Sequence, residues 1–424
     1  MATDTANSSV AGDLRAPITP EGRTMVDLLT GVLPQIRSEA GDNDRDGTFP
    51  VEVFGQLAKL GLMGATVPTA LGGLGVHRLY DVAVALMRLA QADASTALAL
   101  HVQLSRGLTL TYEWLHGSPP VRALAERLLR AMATGEAAVC GALKDAPGVV
   151  TELTADGSGG WLLNGRKILV SMAPIGTHFF VHAQRRDADG NVLLSVPIVR
   201  RDAPGLTVGT HWDGLGMRAS GTLDVSFHDC PVAADHVLDR GPAGARRDAV
   251  LAGQTVSSIT MLGIYAGVAQ AARDLAVEMC ARRRSQPAAA VLALVAGIDT
   301  RLYTLRAVAG TALLNADLLA ADLTGDLDER GRGMMTPFQY AKMTVNELAP
   351  AVVDDCLSLV GGQAYAGQHP LARLYRDVRA GGFMQPYSYV DGVDYLSGQA
   401  LGANRDNDYM SVRALRSPTP AGER

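Results

Sequence analysis

The chain is poor in the residues on which several protein classes depend. Only 4 of its 424 residues are cysteines, and Cys140, Cys230, Cys280 and Cys356 form neither a Cys-x-x-Cys pair nor a zinc-like spacing with histidine. A disulfide-stapled module is therefore excluded, and a reducing cytoplasm is the expected compartment. Charged residues make up 19% and leave a net charge of −5. No concentrated basic surface is available for nucleic acid. Aromatics are scarce, at 5%. The chain also lacks a Gly-Lys-Ser/Thr phosphate loop, a Gly-x-Ser-x-Gly nucleophile elbow and a His-Glu-x-x-His motif, and its 9 histidines show no metal spacing. Gly214-x-Gly216-x-x-Ala219 imitates a dinucleotide fingerprint, but it follows no strand and precedes a strand where a helix is needed.

Long uncharged runs are almost absent too. The exception, Ala249 to Ala272, contains Gln254, Thr255, Ser257, Ser258, Thr260 and Gln270, several of which are costly in lipid. It is expected to be a buried helix with no membrane role. Residues 1–20, rich in Ala, Ser, Thr, Asp and Pro, lack the basic-then-apolar order of a secretory signal and are expected to be a mobile tail.

What is present is aliphatic: hydrophobic residues reach 47%, with 46 glycines. Met25, Leu28, Leu29, Val32, Leu33 and Ile36 repeat at helical spacing, which predicts a helix over 22–40. The segment "GATVPTALGGLG" at 64–75 breaks any helix, and helical spacing resumes at 78–93, 94–114 and 119–132. Residues 21–134 are thus expected to form an α-helical domain. From 135 the pattern becomes short alternating runs, with Asn164-Gly165 as the clearest hairpin signal. About six strands are expected in a β domain over 135–245. Helices return at 249–284, 288–323, 336–360 and from about 390, and predict a C-terminal bundle over 246–412 with a tail at 413–424. The fold class is α+β, in the order α, β, α.

That order, with "GATVPTALGGLGV" at 64–76, "LLNGRKILVSMA" at 162–173, "GLGMRASGTLDVSFHDCPV" at 214–232, "LGIYAGVAQAAR" at 262–273 and "LVGGQAYAGQHPLARLYRDVRA" at 359–380, resembles the acyl-CoA dehydrogenase fold. The resemblance implies a helical domain, a middle β-barrel-like or sandwich domain and a C-terminal four-helix bundle. It also implies a flavin, FAD or FMN, between the β domain and the bundle. Ser171 would then face the flavin ring, flanked by Leu169 and Met172, with Cys140 and Ala142 in the "CGALKDAPG" segment that replaces the family's flavin loop. Arg282 and Arg283 would reach flavin phosphate, Gly361 and Gly362 would admit a neighbouring subunit's flavin tail, and Phe383 would touch the ring. A homotetramer is implied.

The departures bear on chemistry. The two positions where the family carries its proton-abstracting carboxylate fall on Gln385 and near Ser257, and neither an amide nor a hydroxyl can remove an α-proton. Flavin monooxygenases of this fold need no such base. The segments "RDNDRDGTFP", "LALHVQLSRGLTL", "AGQTVSSITMLGIYAG", "MMTPFQYAKM" and "LYRDVRAGGFMQPYSYVDGVDYLS" are similar to those of nitrososynthases. That likeness implies oxidation of the amino group of a dTDP-linked amino-deoxysugar with O2 and reduced flavin from a separate flavin reductase. His101, Ser171 and Gln385 would be catalytic, and Gln103, Ser105, Arg106, Ser257 and Tyr387 would bind substrate. An acyl-thioester dehydrogenase would instead need a base relocated to Asp391, Asp394 or Glu347, and a catalytically silent scaffold of the same fold would bind neither oxidised nor reduced flavin.

Overall fold

The computed structural model describes residues 12–244, 247–282 and 286–402. Among the described residues six α-helices come first: α1 Pro20–Thr30, α2 Leu33–Asp46, α3 Val51–Lys59, α4 Leu79–Ala90, α5 Ala94–His116 and α6 Pro119–Ala133. The helix expected over 22–40 is two, broken after Thr30 and resumed at Leu33 with Pro34 in its first turn. The expected mobile tail is tied down from residue 12. The Leu14 N–H donates to Tyr80 Oη at 2.8 Å, the Ile18 N–H donates to Asp81 Oδ1 at 2.7 Å, and the Leu14 side chain is buried. Two side chains of α4 thus supply partners that no local pattern in the tail reveals.

Among the described residues ten strands follow: β1 Val139–Ala142, β2 Lys144–Asp145, β3 Glu152–Ala155, β4 Trp161–Val170, β5 His178–Val181, β6 Ala183–Arg186, β7 Val192–Arg200, β8 Leu206–Val208, β9 Leu223–Val232 and β10 Val237–Pro242. Their order is β1-β5-β7-β6-β3-β4-β9-β8, with β10 on β7 and β2 on β4. The expected Asn164-Gly165 hairpin does not form, because β4 runs straight through both residues. Asn164 pairs sideways with β9: its Nδ2 donates to Asp229 Oδ1 at 3.0 Å, and its Oδ1 accepts from the Asp229 N–H at 2.8 Å. A Cβ on Gly165 would lie 2.4 Å from Thr151 Oγ1, and the register against β9 slips between Leu163 and Gly165. The glycine serves a bulge and a close approach, not a turn.

The C-terminal helices are α7 Val250–Val256, α8 Met261–Ala281, α9 Ala289–Ala321, α10 Leu327–Val360, α11 Pro370–Val378 and α12 Tyr389–Ala400. The uncharged run is buried as expected: 78% of its apolar window lies inside the fold. It is not one helix, however, since the chain turns between Val256 and Met261. The third long helix starts at Leu327 rather than 336 and carries Pro337 and Pro350 inside it; Asp326 caps its start by accepting from the Asp328 and Glu329 N–H groups.

Three contacts lock the layers together. Asp93 caps α5 through the Thr96 N–H at 2.8 Å, and its other oxygen accepts from Arg373 of α11 at 2.7 Å. Arg376 pairs with Asp44 of α2, and the Ala219 N–H donates to Ser95 Oγ at 3.3 Å. Both ion pairs are mostly shielded from water, where removing one partner is strongly destabilising.

Candidate active site at the junction of the helices and the sheet

The end of β4 is bent by two residues in the left-handed region, Leu169 at φ 61° and Met172 at φ 64°. Such backbone is costly for non-glycine residues and collects at functional sites. Ser171 lies between them. Its Oγ is 2.8 Å from Thr222 Oγ1, which is 2.7 Å from Ser220 Oγ, a hydroxyl chain opening at the surface through Ser171. Leu169 is half exposed. Met172 is fully buried, so its side chain faces the core rather than a flavin ring.

Helix α5 brings four of the expected residues, and the structure separates them. Gln103 spends its amide on backbone: Nε2 donates to Met63 O and Ala137 O, and Oε1 accepts from the Val139 N–H. It fastens α5 to β1 and has no group left for substrate. The Ser105 hydroxyl donates to Val102 O of its own helix at 3.0 Å. Cys140 and Ala142 of β1 are sealed in the core, so their side chains contribute no surface to a cofactor. His101 and Arg106 keep unspent capacity. His101 Nδ1 lies 3.0 Å from Thr260 Oγ1, in the turn that splits α7 from α8, and Nε2 has no partner among the described residues. Burial, helped by the Arg106 charge, pushes His101 down to about 3 and keeps the ring neutral.

Arg106 is a partly buried guanidinium with no carboxylate among the described residues. Its Nε is buried without a hydrogen bond, and its Cζ sits 5.8 Å from the centre of the Phe180 ring. Burial and the charge of Arg240 pull it down to about 10. Arg240 itself is neutralised by Glu113 at 2.8 Å.

The loop 384–388 runs between a 3₁₀ turn, Arg379–Phe383, and α12. Gln385 Oε1 is buried there without a partner. Tyr387 is buried with its ring stacked 5.2 Å from that of Tyr395. Phe383 is 80% exposed and so does not share the enclosed site of Gln385 within one chain. Lys342 of α10, which no motif singled out, donates from Nζ to the carbonyls of Met384, Gln385 and Tyr387. Burial pushes it down to about 7, opposed by the carboxylate of Asp391.

The remaining expected residues lie at the margins. Ser257 caps α7, its hydroxyl donating to Gln254 O at 3.0 Å. Arg282 ends α8, exposed and paired with Glu278; Arg283 lies outside the described residues. Gly361 closes α10 with φ 85°, a conformation that suits glycine, and a Cβ on Gly361 or Gly362 would meet nothing within 4 Å. The helix end accounts for Gly361. Nothing among the described residues requires a glycine at 362.

Asp377, in the "LYRDVRA" segment, carried no expected role. It is fully buried, accepting the Met217 N–H at 2.7 Å through Oδ1, with Oδ2 unpartnered among the described residues. Burial pushes its carboxyl up to about 7, with Arg373 and the Met217 N–H opposing. A carboxyl raised in the folded state holds its proton there while the unfolded chain loses it. Stability from this group is therefore full below about pH 4 and declines up to about pH 7, by about 1.4 kcal/mol per unit in the limit. Asp377→Asn keeps an acceptor for Met217 and removes the titration. Its melting temperature should fall less between pH 5 and pH 7.5 than that of the wild type; parallel curves would show that Asp377 is ionised throughout.

Two clefts, of about 470 and 380 Å³, lie elsewhere, one beside Arg15, Arg88 and Arg306 and the other beside Arg166 and His211. Comparison with known proteins shows the family. The models of the acyl-CoA dehydrogenase N-terminal, middle and C-terminal domains match residues 31–136, 132–230 and 249–385. The L-evernosamine nitrososynthase of a Micromonospora species is 78% identical over 421 residues, 99% of this chain and 100% of the relative. An amino sugar nitrososynthase of Streptomyces rubradiris is 64% identical, with 96% of each chain covered. The crystal structure of KijD3 with FMN and dTDP-3-amino-2,3,6-trideoxy-4-keto-3-methyl-D-glucose superposes with a TM-score of 0.95 at 64% identity, covering 96% of this chain and 100% of that one. The chain belongs to the acyl-CoA dehydrogenase family and, within it, to the nitrososynthases.

Proposed function

We propose that this protein is a flavin-dependent N-oxygenase. It oxidises the amino group of a dTDP-linked amino-deoxysugar through the hydroxylamine to the nitroso compound, in the biosynthesis of an antibiotic sugar in the cytoplasm. The observation that carries the reading is the absence of a proton-abstracting carboxylate at either expected position, together with a neutral histidine and an unpaired guanidinium on α5. Gln385 and Ser257 hold the two positions. Of the candidates for a relocated base, Asp391 accepts from Ser388 Oγ at 2.6 Å, and Asp394 and Glu347 are exposed. That arrangement disfavours an acyl-thioester dehydrogenase.

The junction fits a flavin on this chain's own residues. The Ser171 hydroxyl opens beside half-exposed Leu169, and Gln385 presents a buried, unpartnered acceptor. The likeness to the FMN complex favours FMN over FAD. Bound reduced flavin supplies the oxygen-transfer chemistry, with one dioxygen and one electron pair consumed in each of two cycles. Arg106 binds the diphosphate of the sugar nucleotide. His101, held through Nδ1 by Thr260, presents Nε2 to the amino group as a neutral hydrogen-bond partner, and Gln385 Oε1 accepts an N–H of the same group. The family's expected tetramer gives Leu169, Tyr365 and Phe383 a cover: these side chains are 47%, 91% and 80% exposed in the single chain.

Reduced flavin comes from a separate reductase, since the only dinucleotide-like segment, 214–219, lies in a loop before β9 and starts no helix. Protein given NADH, FMN and a dTDP-amino sugar should form no product, and adding a flavin reductase should yield masses of the hydroxylamine and nitroso sugars. Rapid NADH oxidation by this chain alone, in proportion to product, would overturn the two-component reading. Bleaching of bound flavin by an acyl-CoA without oxygen would favour the dehydrogenase.

A further inference from the structure

Lys342 enters from α10, far in sequence from the loop it meets, and its side chain is buried. The ammonium has three N–H donors, and the loop turns three carbonyls onto it: those of Met384, Gln385 and Tyr387, the Gln385 contact being 3.4 Å. Carbonyls facing the interior of a bundle need partners, and a five-residue loop cannot provide them from its own N–H groups. The Gln385 side chain, whose Oε1 carries no bond, is therefore positioned through its backbone rather than by its own contacts. The nearest comparable anchor is the Tyr387–Tyr395 stack, which holds the far end of the loop against α12.

We propose that Lys342 is a positioning residue for the oxygenation, fixing the 384–387 backbone so that the Gln385 amide meets the substrate's amino group. The proposal rests on the N-oxygenase reading and deepens it. Reaction rates are sensitive to placement, and a misplacement of about 1 Å can cost about 100-fold. Lysine suits the position because three carbonyls converge on one point, whereas the planar fork of arginine donates sideways.

The test uses the full chain with flavin and reductase. Lys342→Met removes the donors at similar length, and kcat for the amino sugar should fall about 10- to 100-fold while the Kd for dTDP stays within about twofold. In a Gln385→Ala background the same change should cost less than about threefold, because the positioned group is already gone. Lys342→Arg should recover part of the loss. Independently of turnover, amide exchange of residues 384–389 should quicken in Lys342→Met, with the exchange of α5 unchanged. Should that variant fail to fold, Lys342→Gln, which keeps an amide donor, takes its place. An unchanged kcat, or an equal loss in the presence and absence of Gln385, overturns the proposal. If the wild type oxidises no amino sugar, the N-oxygenase reading falls, and the exchange result still decides whether Lys342 holds the loop.

Discussion

Replacing Arg106 by methionine should weaken dTDP binding by about 100-fold or more and leave flavin affinity unchanged. The guanidinium reaches the junction from α5 and stacks near Phe180, with no counter-charge of its own among the described residues. Its charged neighbour, Arg240, is already neutralised by Glu113, so the local balance is about one positive charge. An unpaired charge in a shielded site is expensive, and a ligand diphosphate removes that cost when it binds. Truncating one member of such a pair typically costs about 2–5 kcal/mol, of which 3 kcal/mol is already more than 100-fold. Arg106→Lys should fall between the two, because it keeps the charge and loses the bidentate fork. Titration calorimetry with dTDP, then with FMN, separates the possibilities. If Arg106→Met binds dTDP normally and FMN poorly, the guanidinium serves the flavin phosphate, and the assignment to substrate is wrong.

The fold was legible because periodicity survives without knowledge of tertiary partners: helical spacing, then alternation, then helical spacing again reproduces the observed order of layers. What failed were places where a distant side chain decides the local outcome. Asn164-Gly165 has the chemistry of a turn, yet Asp229 on a neighbouring strand draws the asparagine into a ladder. Ser257 to Thr260 looks like helix interior, and the break there places the Thr260 hydroxyl on His101, 159 residues away in sequence. At the site, family motifs pointed to His101, Arg106 and Gln385, residues with unspent polar groups. They also pointed to Gln103 and Ser105, whose groups are consumed by backbone. Composition and spacing do not distinguish the two sets, because the difference is made by which carbonyls lie within reach. Lys342 and Asp377 escaped for the same reason: a buried lysine and a buried aspartate are visible only once the surrounding chain has closed over them.

The rate of the first oxidation should rise with pH, about tenfold per unit below the bound amine's pKa, while the second shows no such rise. An ammonium has no lone pair to attack an electrophilic oxygen, so the sugar amine must be neutral when it reacts. The hydroxylamine is far less basic and is neutral already. His101 does not supply the titration, because burial and the Arg106 charge hold it near 3 and its ring stays neutral through the working range. On the proposed reading it accepts an N–H at Nε2 and aims the lone pair, so its loss should cost on the order of 100-fold. Lys342, pushed down to about 7, does titrate in the range. The positioning proposed for it serves both oxidations, so the ratio of the two rates should cancel it. Mixing enzyme, reduced flavin and oxygen rapidly with either the amine or the hydroxylamine gives that ratio between about pH 6 and 9. The ratio should climb and then level at the amine's pKa. In His101→Phe, which removes the acceptor and keeps a planar ring, amine oxidation should be about 100-fold slower with the inflection in the same place. A flat ratio would mean that amine deprotonation does not limit the chemistry. An inflection that disappears with His101 would make the histidine the titrating group, a ring far more basic than its buried position beside Arg106 allows.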